Sequence, residues 1–289
     1  MSKISKALEK ALRERVSREK DQPAAIGSVL SRSRPGVPVV TAPSVSSNVD
    51  PHIVTYHDRH NPIAEQYRIL RTHLHSIKKE QGLGAILLTS AFSNEGKSVT
   101  ALNLALTLAQ NPDCKVLLID ADLRKGTVKR WLGLEKSMGL TDILCGRAQP
   151  VDALVRVEGT HLTILPSGST MQDPSDKLHS EMMRSMIQQF KRQFDYVLID
   201  SPPLLLVTDP GILCQHVDGV ILVVRAGHTP RRSILQAQER LDQVKARTIG
   251  TILTHAEYYN PLYQKYYRAY QEESQEQQNG SNGSSAPAA

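Results

Sequence analysis

The sequence predicts an α/β fold built on a doubly wound, mainly parallel sheet, and three observations carry that prediction. Apolar runs bounded by turn residues recur at 85–88, 116–119, 161–166, 196–199, 219–225 and 249–255. Between them apolar residues repeat at the helical spacing of three and four, and strands alternating with helices make parallel sheets. The run at 85–88 stops at Thr89 and Ser90, a small polar loop follows, and Gly96-Lys97-Ser98 opens a helical pattern through Leu102, Leu104 and Leu106. Strand, tight loop, Gly-Lys-Ser, helix is the layout of a phosphate-binding loop.

The chemistry of that loop is local. Successive backbone N–H groups and the unpaired first turn of the helix point at one spot, and the helix dipole adds partial positive charge there. Lys97 is placed to reach the β- and γ-phosphates of a nucleotide, and the Ser98 hydroxyl to bind the Mg²⁺ that travels with ATP. The first glycine of the usual pattern is replaced by Ala91, so the match reads A-x-x-x-x-G-K-S.

Taken in order, residues 2–20 read as a basic helix with a thin apolar seam of Ile4, Leu8, Leu12 and Val16. Residues 21–51 are rich in Pro, Ser and Val without a period, the composition of a flexible linker. The folded domain is expected over 52–257. Asn61 as N-cap and Pro62 behind it start a helix over 61–79, with Ile63, Tyr67, Leu70, Leu74 and Ile77 on one face. Glu65, Arg68 and Arg71 share a neighbouring face, where spacing alone gives an intrahelical ion pair.

The buried strand 116–119 releases Asp120-x-Asp122-x-Arg124 at its carboxyl end, the edge where open parallel sheets bind ligands. Two short helices follow across 127–147, separated by Gly133 and Gly139. A long helix is expected over 174–193 with Leu178, Met182, Met186, Ile187 and Phe190 on its core side. The strand at 196–199 ends in Asp200, the position of an acid that holds Mg²⁺ in phosphate-loop proteins. Asp209 lies in the loop beyond Ser201-Pro202-Pro203, and a helix over 231–245 precedes the last strand. Residues 258–289 read as a tyrosine-rich tail of low complexity, for which composition predicts disorder. Tyr258, Tyr259, Tyr263, Tyr266, Tyr267 and Tyr270 fall there, two thirds of the nine tyrosines. A segment full of phenol nucleophiles attached to a nucleotide site reads as a phosphate acceptor.

Composition narrows the setting. The chain has 289 residues, a formal charge of +6, and three dispersed cysteines without metal-ligand spacing. Buried free thiols in a reducing compartment are the expectation. No run approaches the length of a membrane-spanning helix and no signal-peptide core is present, so a cytoplasmic protein is expected. Only Lys265 and Arg268 accompany the tail tyrosines, and no nucleic-acid partner is expected.

With these parts placed, the sequence resembles the bacterial tyrosine kinases of capsule and exopolysaccharide assembly, P-loop NTPases of the deviant-Walker, MinD/ParA-like class. The resemblance runs over about 61–270 and rests on SAFSNEGKS (90–98), VLLIDADLR (116–124), DYVLIDSPP with Asp209, the Glu65-x-x-Arg68-x-x-Arg71 triplet and the tyrosine cluster. It implies a nucleotide cradle of Ala91, Phe92, Ser93, Asn94, Glu95, Gly96, Lys97, Ser98 and Val99. It implies Ser98, Asp122 and Asp200 as Mg²⁺ holders, with Lys97, Asp120, Asp122 and Asp200 catalytic and Asp120 taking the acceptor's proton. The triplet looks like the family's oligomerisation motif, so a homo-oligomeric ring with trans-phosphorylation is implied. A separate transmembrane activator of the chain-length or co-polymerase type, a phosphotyrosine phosphatase, and peripheral association with the inner face of the cell membrane are implied as well.

Two positions depart from the family pattern. Asn94 stands where relatives usually carry Gly, and Thr254 where they commonly use Asn to read adenine. The same residues bear on two other functions. A ParA/MinD-like ATPase switch is opposed by the absence of that class's extra lysine from residues 91–95, Ala-Phe-Ser-Asn-Glu. A non-catalytic scaffold for the export machinery is opposed by intact Lys97, Asp120, Asp122 and Asp200.

Overall fold

The computed structural model describes residues 49–134, 138–256, 265 and 269. The helix expected over 2–20, the linker up to residue 48, and Tyr258, Tyr259, Tyr263, Tyr266, Tyr267 and Tyr270 lie outside the described residues. Apolar runs become strands β1 (Ala85–Ser90), β2 (Val116–Asp120), β3 (Val155–Arg156), β4 (Leu162–Leu165), β5 (Tyr196–Asp200), β6 (Gly219–Arg225) and β7 (Thr248–Thr254). Among the described residues they form one sheet in the order β3-β4-β2-β5-β1-β6-β7, parallel throughout except for β3 against β4. Every residue of β1, β2 and β5 is buried, which is why these strands read as unbroken Val, Ile and Leu rather than as an alternation.

The helices are α1 (Val54–His57), α2 (Pro62–Gln81), α3 (Lys97–Leu108), α4 (Val128–Trp131), α5 (Leu140–Leu144), α6 (Pro150–Ala153), α7 (Ser175–His179), α8 (Glu181–Gln193), α9 (Asp209–Leu213) and α10 (Arg231–Gln243). Successive strand residues point to opposite faces, and so the sheet separates two cores. Ile86, Leu88, Leu118 and Leu198 pack with α2 and α3, through Leu74, Leu102 and Leu104 among others. Leu87, Leu117, Val197 and Ile199 pack with α8 and α10, through Met183, Ile187, Phe190, Ala237 and Leu241. From β1 the chain moves to one side as far as β3, then returns through β5 and crosses to β6 and β7 on the other. The carboxyl ends of β1, β2 and β5 therefore meet where the winding reverses, the usual ligand crevice of this fold class.

Local chemistry explains most element ends. Asn61 Oδ1 accepts the Ile63 N–H at 2.9 Å, Pro62 opens α2, and Gly82 closes it in the left-handed region at φ 70°. The single helix expected over 174–193 is corrected. Ser180 turns extended (φ −65°, ψ 152°), ending α7, and its hydroxyl accepts the Met183 N–H at 3.3 Å as the N-cap of α8. Met186, Ile187 and Phe190 keep the core side expected of them, and the break changes only the start of the second helix. Met183 is fully buried while Met182, expected in the core, is 49% exposed. β3, α6 and α9 add short elements that the apolar pattern does not announce. Cys114 and Cys214 are buried free thiols, and Cys145 is half-buried.

Candidate active site

The loop between β1 and α3 holds itself in shape before any ligand arrives. Asn94 (φ 65°) and Gly96 (φ 89°) both sit in the left-handed region, the conformation that lets neighbouring N–H groups converge. Asn tolerates it better than most side chains, so the replacement of Gly at 94 keeps the loop's backbone path. Glu95 is fully buried and acts as an internal brace. Its Oε2 accepts the Phe92 N–H at 2.9 Å, and its Oε1 accepts the Thr229 hydroxyl. The Thr254 hydroxyl at the end of β7 donates to the Glu95 carbonyl at 2.9 Å, and its methyl would meet a Cβ at Gly96 at 3.3 Å. Thr254 is thereby occupied as an anchor of the loop.

The acids arrive from β2 and β5. Parallel pairing sets Asp120 opposite Asp200, and the Ala121 N–H donates to the Asp200 carbonyl at 2.8 Å. Asp120 is fully buried, with Oδ1 accepting the Asp122 N–H (3.2 Å) and Oδ2 the Val128 N–H (3.0 Å). Burial, and after it the Asp200 charge, push the Asp120 carboxyl well above the usual carboxylate range. Asp122 Oδ1 accepts the Lys125 N–H at 3.1 Å. Lys97 Nζ lies 3.8 Å from Asp122 Oδ2 and 3.8 Å from Asp200 Oδ1, and it donates to Ser98 Oγ at 3.3 Å.

Asp200 is unusual. It has no solvent exposure, and neither carboxylate oxygen has a hydrogen-bond partner. Burial raises its pKa, with Lys97 and Ser98 pulling the other way. Lys97 and Ser98 at the start of α3 thus come together at one corner with Asp120, Asp122 and Asp200 from the ends of β2 and β5. Glu65, Arg68 and Arg71 lie on α2. Arg68 pairs with Glu65 and donates to the Arg59 carbonyl at 2.6 Å, while Arg71 Nη1 donates to the Thr107 carbonyl near the end of α3 at 3.0 Å.

Sequence reading missed several supports. The Thr127 hydroxyl donates to Ser98 Oγ at 3.2 Å, and Thr229 braces Glu95 from a loop far along the chain. Arg124 grips Asp209 with two bonds, Nε to Oδ2 at 2.8 Å and Nη2 to Oδ1 at 3.1 Å. Only the position of Arg124 in the Asp-x-Asp-x-Arg run hinted at a role, and nothing local named its partner.

Two clefts flank the loop and share Gly96 and Val99. One, about 130 Å³, is lined by Asn94, Lys97, Ser98 and Asp122 with Lys125, Arg130 and Trp131 at its edge. The other, about 460 Å³, runs between α2, the start of α3 and the end of β7 at Thr254, His255 and Ala256. Its wall is mainly apolar, with Ile63, Tyr67, Leu70, Val99 and Ile252.

A doubly wound sheet carrying this loop defines a P-loop nucleotide-binding protein. The AAA domain family profile matches residues 92–253. Tyrosine-protein kinase YwqD of Bacillus subtilis is 37% identical over 201 residues, 68% of this chain and 84% of that protein. Tyrosine-protein kinase CpsD of Streptococcus agalactiae is 36% identical over 190 residues, 65% of this chain and 81% of that protein. Among solved structures, the kinase domain of the Escherichia coli tyrosine kinase ETK superposes with a TM-score of 0.67 at 28% identity, over 70% of this chain and 78% of that one. The septum site-determining protein MinD of Pyrococcus horikoshii, complexed with Mg-ADP, gives a TM-score of 0.51 at 25% identity, over 59% of this chain and 69% of that one. The chain belongs to the bacterial tyrosine-protein kinases. Among the described residues no helix is long and apolar enough to cross a membrane.

Proposed function

We propose that this kinase transfers the γ-phosphoryl group of ATP to its own C-terminal tyrosines, Tyr258, Tyr259, Tyr263, Tyr266, Tyr267 and Tyr270, in trans between subunits of a homo-oligomeric ring. The observation that supports it most is the corner of Lys97, Asp122 and Asp200, where one ammonium faces two buried carboxylates and neither Asp200 oxygen has a donor in hydrogen-bond geometry. A buried carboxylate without a donor is costly. A hard cation that keeps part of its water shell fits the donor set, which is all oxygen: Ser98, Asp122 and Asp200. Mg²⁺ held there supplies charge neutralisation across the transferring phosphates.

The chain's own groups do the rest. The N–H groups from Ala91 to Val99 cradle the phosphates, and Lys97 offsets their charge. The nucleoside takes the 460 Å³ cleft beside Val99 and Thr254. The phosphates and Mg²⁺ take the inner part of the smaller cleft at Lys97, Ser98 and Asp122, and the acceptor approaches from the outer edge of that cleft at Lys125, Arg130 and Trp131. The phenol oxygen bonds to the γ-phosphorus as the bond from that phosphorus to the β–γ bridging oxygen breaks, and ADP leaves. Asp120, ionised once Mg-ATP binds beside it, receives the phenolic proton; each of its oxygens accepts one backbone N–H and keeps a second lone pair.

In this reading residues 52–257 form the kinase domain, and Glu65, Arg68 and Arg71 contribute to contacts between subunits. A separate transmembrane activator of the co-polymerase type recruits the protein to the inner face of the cell membrane, a phosphotyrosine phosphatase resets the tail, and the cycle regulates exopolysaccharide or capsule polymerisation and export. The test is to incubate full-length protein and its activator with Mg-ATP and map phosphotyrosine by mass spectrometry. Phosphate on the tail of the wild type and none in Lys97→Ala is expected. An unmodified tail, or equal modification in Lys97→Ala, contradicts the reading.

A further inference from the structure

We infer that Lys125, Lys129, Arg130 and Trp131 form a reception surface for the acidic stretch that follows the last tyrosine, which makes Tyr270 the preferred first acceptor; the inference rests on the tail-kinase reading above. The turn after β2 and the single turn of α4 bring Lys125, Arg130 and Trp131 to one edge, with Lys129 next to Arg130 in the chain. Lys125, Arg130 and Trp131 line the same small cleft as Lys97 and Asp122. Lys125 and Arg130 are exposed and Lys129 is half-buried. None of the three cations forms an ion pair with another described residue. Arg130 lies over the Trp131 ring at 5.4 Å, and its charge helps to lower the pKa of Asp50, whose own close partner is His52. The nucleotide phosphates already have Lys97 and the loop N–H groups. The rim therefore presents net positive charge to whatever enters from outside, and that is the acceptor.

The tail carries the complement. From Gln271 onward the sequence holds Glu272, Glu273 and Glu276 and no Lys or Arg, in a chain whose overall charge is +6. An extended chain advances about 3.3 Å per residue, so these glutamates lie about 7–20 Å beyond Tyr270, a reach suited to the edge of the cleft. The other tyrosines lack that flank. Tyr258 and Tyr259 are followed by Asn260-Pro261-Leu262, while Tyr263, Tyr266 and Tyr267 are followed closely by Lys265 or Arg268, which the rim repels.

Trp131 is the only tryptophan, so its emission reports directly on the rim. A full chain carrying Glu272→Gln, Glu273→Gln and Glu276→Gln in its own tail, loaded with Mg-ADP so that no transfer occurs, is titrated with a labelled peptide of residues 266–278. The native peptide is expected to change Trp131 emission saturably. The same peptide with the three Glu→Gln changes is expected to bind about tenfold more weakly at low salt, with the gap closing as ionic strength rises. A Lys129→Glu, Arg130→Glu chain is expected to prefer a peptide carrying Glu272→Lys, Glu273→Lys and Glu276→Lys. Equal affinity of the native and neutral peptides, or no change in Trp131 emission with either, overturns the proposal. The tail-kinase reading fails separately, by the absence of tail phosphotyrosine in wild-type protein under turnover.

Discussion

Asp200 and Asp209 are close in sequence and neither has any solvent exposure, yet the protein treats them in opposite ways. Asp209 is fully provided for. Two bonds from Arg124 and one from Ser175 Oγ (3.3 Å) satisfy its oxygens, and Arg124 is itself tied to the Gln172 carbonyl at 2.7 Å. Asp200 faces Lys97 at 3.8 Å, with Ser98 and the Asp122 carboxylate also beside it, and no donor meets either of its oxygens in hydrogen-bond geometry. Both belong to the same strand-and-loop unit, so burial does not distinguish them. Provision does. A buried acid with every oxygen satisfied holds elements together, here β2's exit loop against α9. A buried acid left short of donors is destabilising until something else arrives, and the phosphate loop beside it marks what that is.

The contrast is broken most forcefully at Asp200. Asp200→Asn should lower phosphoryl transfer by about 10³-fold, the scale for removing one preorganised charge from a transition-state site. The metal-free protein should meanwhile become more stable by about 1–2 kcal/mol, because one of the two buried carboxylates that share the single Lys97 ammonium has gone. Kinase assays with urea unfolding of the same variant check both signs. Asp209→Ala should do the reverse. Loss of the Arg124 pair should cost about 2–3 kcal/mol of stability, with transfer per folded molecule changed far less. Arg124 retains partial solvent access, which limits the damage.

A third effect is smaller and depends on pH. The Asp120 and Asp200 carboxyls are raised by burial, so the folded state keeps protons that the unfolded chain releases near 3.8. Metal-free stability should then fall as pH rises from about 5 to 8, Asp200→Asn should flatten that slope, and Mg-ADP should oppose it. Thermal melts across pH read this directly. Smallest is Ser180→Ala, about 1 kcal/mol of stability from the lost N-cap with kinase activity unchanged, a control outside both acids' surroundings.

The sequence made the middle of this sheet plain and its fine structure obscure, for physical reasons. Buried parallel strands need unbroken apolar runs, so β1, β2, β5 and β6 were visible, and with them the strand-end positions of Asp120, Asp122 and Asp200. The Ser180 break was not, because the apolar pattern runs through it; its signal was a capping serine with Glu181 in the first turn behind it. β3 is too short for periodicity to register. The Arg124–Asp209 clamp and the Thr229–Glu95–Thr254 bracing of the loop join residues far apart in the chain. Such pairs follow from topology, and no local spacing encodes them. Asn94 was legible as an exception to the family pattern, and its left-handed backbone explains how the exception is accommodated.

The central claim is that Asp200 is held short of partners so that it can meet a cation with the nucleotide. Calorimetric titration of Mg²⁺ into ADP-loaded wild type, Asp200→Asn and Ser180→Ala tests it most directly. Mg²⁺ binding should weaken by at least about tenfold in Asp200→Asn and stay at the wild-type value in Ser180→Ala. Equal Mg²⁺ affinity in wild type and Asp200→Asn would contradict the account.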